Sequence, residues 1–208
     1  MAIQLNKSAA EIDIDLLEGL DNKPKVNEVW DDLKAPLQGQ RLDTTSGRLD
    51  YDYFNGAVNF NANARYPDEP ITILMQMPHG KKEGSNLRPH LHWLQESNAT
   101  PNFLLAYKWI EINTVTTKET DFSNYTLLPI NGAEFPYQAN LHQINIFDEI
   151  AGTIGTSDCI AFALFRDSTN VSGLFAGADS YVGDVLAYEF DCHYQIDQLG
   201  SIQEFTKE

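Results

Sequence analysis

The sequence predicts an all-β fold: an antiparallel β-sandwich or jelly-roll-like domain preceded by a polar N-terminal arm that carries short helices. Three observations predict it. From Leu49 onward, apolar and polar residues alternate with a period of two in about eight or nine short runs, the pattern of half-buried strands. Gly, Pro, Asn and Asp punctuate those runs at irregular spacing, as turns between antiparallel strands do. Helical spacing is confined to the part before Leu49. A chain of 208 residues suffices for one domain with a sizeable core. The predicted organisation is therefore an arm over 1–48 and a single domain over 49–208.

In the arm, Ser8-Ala9-Ala10-Glu11 matches the capping box, in which serine and glutamate side chains satisfy two orphan amides at a helix start. The period-two run Glu11-Ile12-Asp13-Ile14-Asp15-Leu16 competes with it and Gly19 cuts it short, so helix and strand both stay open there. After the break at Pro24, Val26, Val29, Trp30, Leu33 and Leu37 recur at helical spacing and predict a second short helix ended by Pro36 and Gly39.

The strands then follow in order. Leu49, Tyr51 and Tyr53 alternate with acids, Asn55-Gly56 is a strong hairpin signal, and Val58 and Phe60 resume the alternation. Ile71, Ile73, Met75 and Met77 share one side of a strand, and a Gly/Lys loop leads to Pro89-His90-Leu91-His92-Trp93 on the next. Strand side chains alternate faces, so His90, His92 and Leu94 point one way and Leu91, Trp93 and Gln95 the other. Phe103, Leu105, Tyr107 and Trp109 form one stripe of the following strand, opposite Leu104, Ala106, Lys108 and Ile110. Residues 113–125 are a polar, Thr-rich excursion, while 127–130 and the region of Pro136 read as surface connections. Runs at 141–146, 159–165 and 185–196 complete the set. In the last, Leu186, Tyr188, Phe190, Cys192, Tyr194 and Ile196 read as the core side, with Glu189, Asp191, His193, Gln195 and Asp197 on the wet side.

Thirty acidic residues against fourteen Lys and Arg give a formal charge of −16, with no basic stripe to track phosphates, so nucleic acid is not an expected partner. The first residues lack the basic start and apolar core of a signal peptide, and no apolar run is long enough to span a bilayer. The expectation is a soluble protein made in the cytoplasm, with no membrane partner. Cys159 and Cys192 lie in separate apolar strand patterns without a Cys-x-x-Cys motif and read as free thiols.

The sharpest motif is Gly84-x5-His90-x-His92-x3-Glu96, which is similar to the first metal-binding pattern of cupins, themselves jelly rolls. Two imidazoles on one strand face with a nearby carboxylate would form an open facial site for metal-dependent chemistry. The pattern departs at Phe103, where a glycine is expected, and no second cupin pattern surrounds His142 or His193. A symmetry axis offers another reading, in which His-x-His from each of three chains closes a shared metal site; the alternative is that His90 and His92 hydrogen-bond at a subunit seam. His193, beside the carboxylates of Glu189, Asp191 and Asp197, reads first as an ordinary hydrogen-bonded surface histidine, with a pH-sensitive contact as the alternative. No Gly-x-Ser-x-Gly elbow and no Cys/His arrangement at a known catalytic spacing occurs, and the acid pairs Asp31-Asp32 and Asp148-Glu149 have no cleft signature around them. No catalytic residue, cofactor or metal ligand is therefore assigned. A carbohydrate- or surface-binding module on the same scaffold is a further alternative, through exposed Tyr or Trp.

Four segments resemble a family of small structural proteins of tailed-bacteriophage virions. They are Val29-Trp30-Asp31-Asp32-Leu33; Met75-Gln76-Met77-Pro78-His79-Gly80-Lys81-Lys82-Glu83-Gly84 with Arg88-Pro89-His90-Leu91-His92-Trp93; Phe103-Leu104-Leu105-Ala106-Tyr107-Lys108-Trp109; and Tyr188-Glu189-Phe190-Asp191-Cys192-His193-Tyr194-Gln195-Ile196-Asp197-Gln198-Leu199-Gly200-Ser201. They are spread in order over 29–201. The resemblance implies a non-enzymatic β-rich virion component, at a capsid-decoration, head-fibre or tail position. Its expected partners are other copies of itself, with a trimer as the working number, and other virion proteins. The candidate contact residues are Trp30, His79, His90, His92 and His193.

Overall fold

The alternation of apolar residues is realised as eleven strands in the computed structural model, which describes residues 29–37, 41–42, 49–52, 55–68, 70–111, 121–133, 141–151 and 157–196. They are β1 (Val29–Pro36), β2 (Arg41–Leu42), β3 (Leu49–Asp52), β4 (Ala57–Phe60), β5 (Ile71–Gln76), β6 (Leu87–Gln95), β7 (Phe103–Ile110), β8 (Thr126–Ala133), β9 (Leu141–Phe147), β10 (Cys159–Arg166) and β11 (Val185–Ile196). Every pairing between them is antiparallel. Among the described residues there is no α-helix, and the all-β expectation is met.

The pairings make two layers. One sheet runs β9-β6-β11-β4-β3 and the other β2-β5-β10-β7-β8. Taken from β4 to β11, the orders β4-β11-β6-β9 and β5-β10-β7-β8 are those of an eight-stranded jelly roll. The strand β8 belongs to both layers: Leu127, Leu128 and Pro129 pair with β7, whereas Ile130, Gly132 and Ala133 pair with β9, with a register shift between Ile130 and Gly132. A strand that changes sheet at an irregularity turns the corner of a sandwich. The expectation that 127–130 is a surface connection is thus corrected.

The space between the layers is filled. Leu91 and Trp93 of β6, Phe190 and Cys192 of β11 and Phe60 of β4 pack with Ile71, Ile73 and Met75 of β5, Phe103 and Leu105 of β7, and Ile160, Phe162 and Leu164 of β10. Edge-to-face ring pairs bridge the two sheets: Phe162 with Phe190 at 5.0 Å and Trp93 with Phe103 at 5.5 Å between centroids. Each such pair adds roughly 0.5–1.5 kcal/mol beyond area burial. Outside the second sheet, Leu104, Ala106, Ala163 and Phe165 form a smaller cluster covered by Tyr66, Phe122, Tyr125, Leu127 and Phe175 of the same chain. That cover explains why β7 is apolar on both faces.

Three sequence expectations need adjustment. Residues 29–36 form β1, not a helix: this strand pairs residue for residue with β11, from Val29 opposite Ile196 to Pro36 opposite Glu189. In β11 the register shifts between Ala187 and Glu189, so Val185 and Ala187 join the core while Leu186 and Tyr188 belong to the outer face. Asn55 and Gly56 do form the turn between β3 and β4, with Gly56 at φ +66°, but the strands close at Asp52 opposite Ala57. Both cysteines are free, and burial pushes the Cys192 thiol well above its ordinary range. The helix considered at Ser8 to Glu11, the Thr-rich excursion up to 120 and the segment 197–201 lie outside the described residues.

Candidate functional site: a histidine and carboxylate cluster on an outer sheet face

In β6 the alternation sends Leu91 and Trp93 into the core, where both are fully buried, and turns His90 and His92 to the outside of their sheet. Cross-strand register then decides their neighbours. His90 stands opposite Asp191, His92 opposite Glu189 and Arg88 opposite His193 on β11. Beyond β11, the strand β1 sets Asp32 opposite His193 and Lys34 opposite Asp191. On the other side of β6, β9 places Ile146 beside His90, Ile144 beside His92, and His142 beside Leu94.

Asp191 is the centre of this patch. It is 3% exposed and His90 is 6% exposed, although both lie on the face turned away from the core. Asp191 Oδ1 lies 3.7 Å from His90 Nδ1, while Oδ2 lies 3.5 Å from His92 Nε2 and 3.7 Å from His193 Nε2. His193 Nε2 also meets Asp32 Oδ1 at 3.0 Å, and the His90 and His193 rings are 4.2 Å apart. The cations nearby are committed elsewhere: Lys34 Nζ lies 3.8 Å from Glu189, and Arg88 Nε donates to Glu149 at 2.6 Å.

The residues singled out from sequence divide accordingly. His90, His92 and His193 come together. Trp30 sits at the rim, its ring 4.1 Å beneath the Arg88 guanidinium. His79 lies apart, with Nε2 2.6 Å from Ser157 Oγ. Glu96 follows the end of β6 and is exposed; the carboxylate among the imidazoles is Asp191 instead. Sequence reasoning placed Asp191 and His193 on one wet face but had no means of pairing them with β6, and it passed over Asp32 as one of an acid pair. The alternate-position signal was present; the register was not.

Electrostatics separate the two outermost imidazoles. The facing Asp191 carboxylate, as a long acceptor and as a charge, raises His92 above the ordinary imidazole range against the opposing effect of burial. Burial, followed by the charge of His92, lowers His142. Their nitrogens, His92 Nδ1 and His142 Nε2, meet at 3.3 Å. Toward the opposite end of β11, Tyr194 donates its hydroxyl to Asp31 at 2.9 Å and pins β1 to β11; burial and that acceptor push its pKa up to about 12.

The rim yields a prediction. Asn86 and Arg88 both donate to Glu149 and hold its carboxyl below the usual range, which ties the start of β6 to the segment after β9. A depressed carboxyl contributes stability above its unfolded pKa and loses it as pH falls through the lower folded value. Because the pair is half exposed, Glu149→Gln should cost at most about 1 kcal/mol at neutral pH. The gap between the thermal midpoints of Glu149→Gln and the parent should close as the pH is lowered below the ordinary glutamate pKa. An unchanged gap in strong acid would mean that the charge of Glu149 is irrelevant to it.

No protein-family model matches the chain, and no curated protein matches it.

Proposed function

We propose that the chain is a non-enzymatic structural component of a tailed-phage virion, a capsid-decoration, head-fibre or tail-associated protein that acts through contacts between subunits. One observation carries the reading. The segments Arg88 to Trp93 and Tyr188 to Ser201 hold the two most specific motifs of the resemblance, Pro89-His90-x-His92-Trp93 and His193-Tyr194-x-Ile196-Asp197-x-Leu199-Gly200-Ser201; they are about a hundred residues apart in sequence, and the second is described as far as Ile196. They nevertheless lie side by side in one sheet, with Arg88 opposite His193, Pro89 opposite Cys192, and His90 opposite Asp191. On the outer face of these two strands His90 and His92 stand beside Asp191 and His193, while Leu91, Trp93, Phe190 and Cys192 turn into the core. Trp30 of β1 borders that face, and Ile144 and Ile146 of β9 extend it with partly covered apolar surface. A filled jelly roll offering a mixed apolar and ionic sheet face is suited to packing against neighbours. The protein would be made in the host cytoplasm and enter the particle there.

The test has two arms. Light scattering on the full-length protein should show a discrete homo-oligomer, with a trimer as the expected number, and mass spectrometry of purified particles should find the chain at stoichiometric copy number. A monodisperse monomer at high concentration, together with absence from purified particles, would overturn the proposal.

A further inference from the structure

We propose that His90, Asp191 and His193 bind one divalent first-row transition-metal ion, represented by Zn2+, which fastens β6 to β11. Each residue offers one ligand atom, and those atoms all lie within 4.8 Å of one another. The inference does not depend on what assembly the chain joins.

The spacing favours an ion over a plain hydrogen-bonded network. The contacts of 3.7 Å from Asp191 Oδ1 to His90 Nδ1 and from Asp191 Oδ2 to His193 Nε2 are longer than ordinary hydrogen bonds, which run about 2.7–3.2 Å. Around a tetrahedral ion with bonds of about 2.0–2.1 Å, neighbouring ligand atoms are about 3.3 Å apart. The two imidazole–carboxylate contacts of 3.7 Å would shorten by a few tenths of an ångström around such an ion, and ligand atoms as far apart as 4.8 Å would draw in by up to about 1.5 Å through side-chain rotation. Cross-strand register supplies this arrangement without special backbone: His90 is the direct partner of Asp191, and His193 is two residues further on the same face of β11.

The chemistry of the group points the same way. A carboxylate withdrawn from water needs a positive partner or several hydrogen bonds. Asp191 is nearly buried, and its Oδ1 accepts no hydrogen bond among the described residues. Lys34 and Arg88 on the flanking positions are taken up by Glu189 and Glu149, so the imidazoles, with His92 Nε2 3.5 Å from Oδ2, are what face this carboxylate. Two imidazoles with one carboxylate are a donor set for zinc, iron, cobalt or nickel, whereas calcium and magnesium require oxygen ligands. Entry is available as well, because His90 and His193 line a surface cleft with Arg88, Ile146, Asp148 and Glu149. Asp32 Oδ1, 3.0 Å from His193 Nε2, is the nearest further oxygen, so an ion here also secures β1.

The experiment uses full-length protein without a polyhistidine tag, freed of metal with a chelator and titrated separately with Zn2+, Co2+ and Ca2+. Zn2+ should bind at about one equivalent and raise Tm by roughly 5 °C or more at a hundredfold excess over Kd. Co2+ should develop visible d–d absorption, and Ca2+ should change neither signal. Asp191→Asn and His193→Ala should each weaken Zn2+ binding by about tenfold or more, while His142→Ala binds as the parent does. His193 is partly exposed, so the circular dichroism of His193→Ala should stay that of the parent and separate lost binding from lost fold. Less than about a tenth of an equivalent of Zn2+ bound by the parent, undiminished binding in both ligand variants, or an equal response to Ca2+ would each overturn the proposal.

Discussion

Replacing Arg166 with methionine is expected to destabilise the fold by about 3–5 kcal/mol, the cost of removing one partner from a buried ion pair. Arg166 closes β10 and is fully buried. Its Nε and Nη2 donate to the two oxygens of Asp179 at 2.8 and 3.3 Å, and Asp179 is itself almost buried. The remaining donors hold backbone carbonyls: Nη2 reaches Tyr181 at 2.7 Å, and Nη1 reaches Gly183 at 2.6 Å, with longer contacts to Phe60 and Asn61. One guanidinium thus ties the end of β10 to the end of β4 and to the loop that leads into β11. Methionine fills a similar volume but donates nothing, so a buried carboxylate and several carbonyls lose their donor together. Thermal unfolding should move down by roughly 10 °C or more. Arg166→Lys should fall between, since an ammonium has three donors and no planar fork to serve acceptors in several directions. A double variant that also carries Asp179→Asn should be less unstable than the sum of the single losses, because the stranded charge is gone. If Arg166→Met stays within about 1 kcal/mol of the parent in urea denaturation, the guanidinium is not organising this corner.

What the sequence disclosed and what it hid follow from the range of the interactions. The alternation through β6 and β11 is a local property, and it correctly put His90 and His92 opposite Leu91 and Trp93. Over β1 the same kind of reading misled. Positions 29 and 33 fit a helical spacing, yet they are also alternate positions of one strand face, so in a segment this short the two periods overlap. The choice was made by a partner elsewhere in the chain, the unpaired flank of β11 beyond its contact with β4. A shift of one residue at Tyr188 reversed the faces of Leu186 and Tyr188 without disturbing the apolar alternation, which is why an unbroken stripe looked plausible. Asp191 and His90 were each legible as outward residues. Their meeting depends on register between strands about a hundred residues apart, which no local pattern carries. Arg166 was hidden for the same reason: at the end of an apolar run it reads as the point where a strand reaches water, and its acceptors come from residues 60–61 and 179–183.

The corner that Arg166 builds leads directly to the residue whose truncation should cost nearly as much. Trp93 is fully buried between the sheets, with its ring 5.5 Å from Phe103 and 5.7 Å from Tyr181, both edge to face. Its indole nitrogen donates to Asn145 on β9, a fully buried amide on the core side of the sheet. Tyr181 is in turn held through its carbonyl by Arg166, and its hydroxyl accepts the backbone amide of Glu96. Trp93→Ala opens a cavity at the junction of both sheets and should cost about 3–5 kcal/mol. Trp93→Phe retains most of the volume and removes the indole donor; its cost should be about 1–3 kcal/mol, set by the loss of a buried hydrogen bond. A cycle combining Trp93→Phe with Asn145→Ala should show a coupling of about 1 kcal/mol, whereas equal and additive losses would mean that the indole acts only as bulk. Trp93→Ala combined with Arg166→Met should fall short of additivity, because both act on the placement of Tyr181. Strict additivity in that pair would show that the loop before β11 is held independently at its two ends.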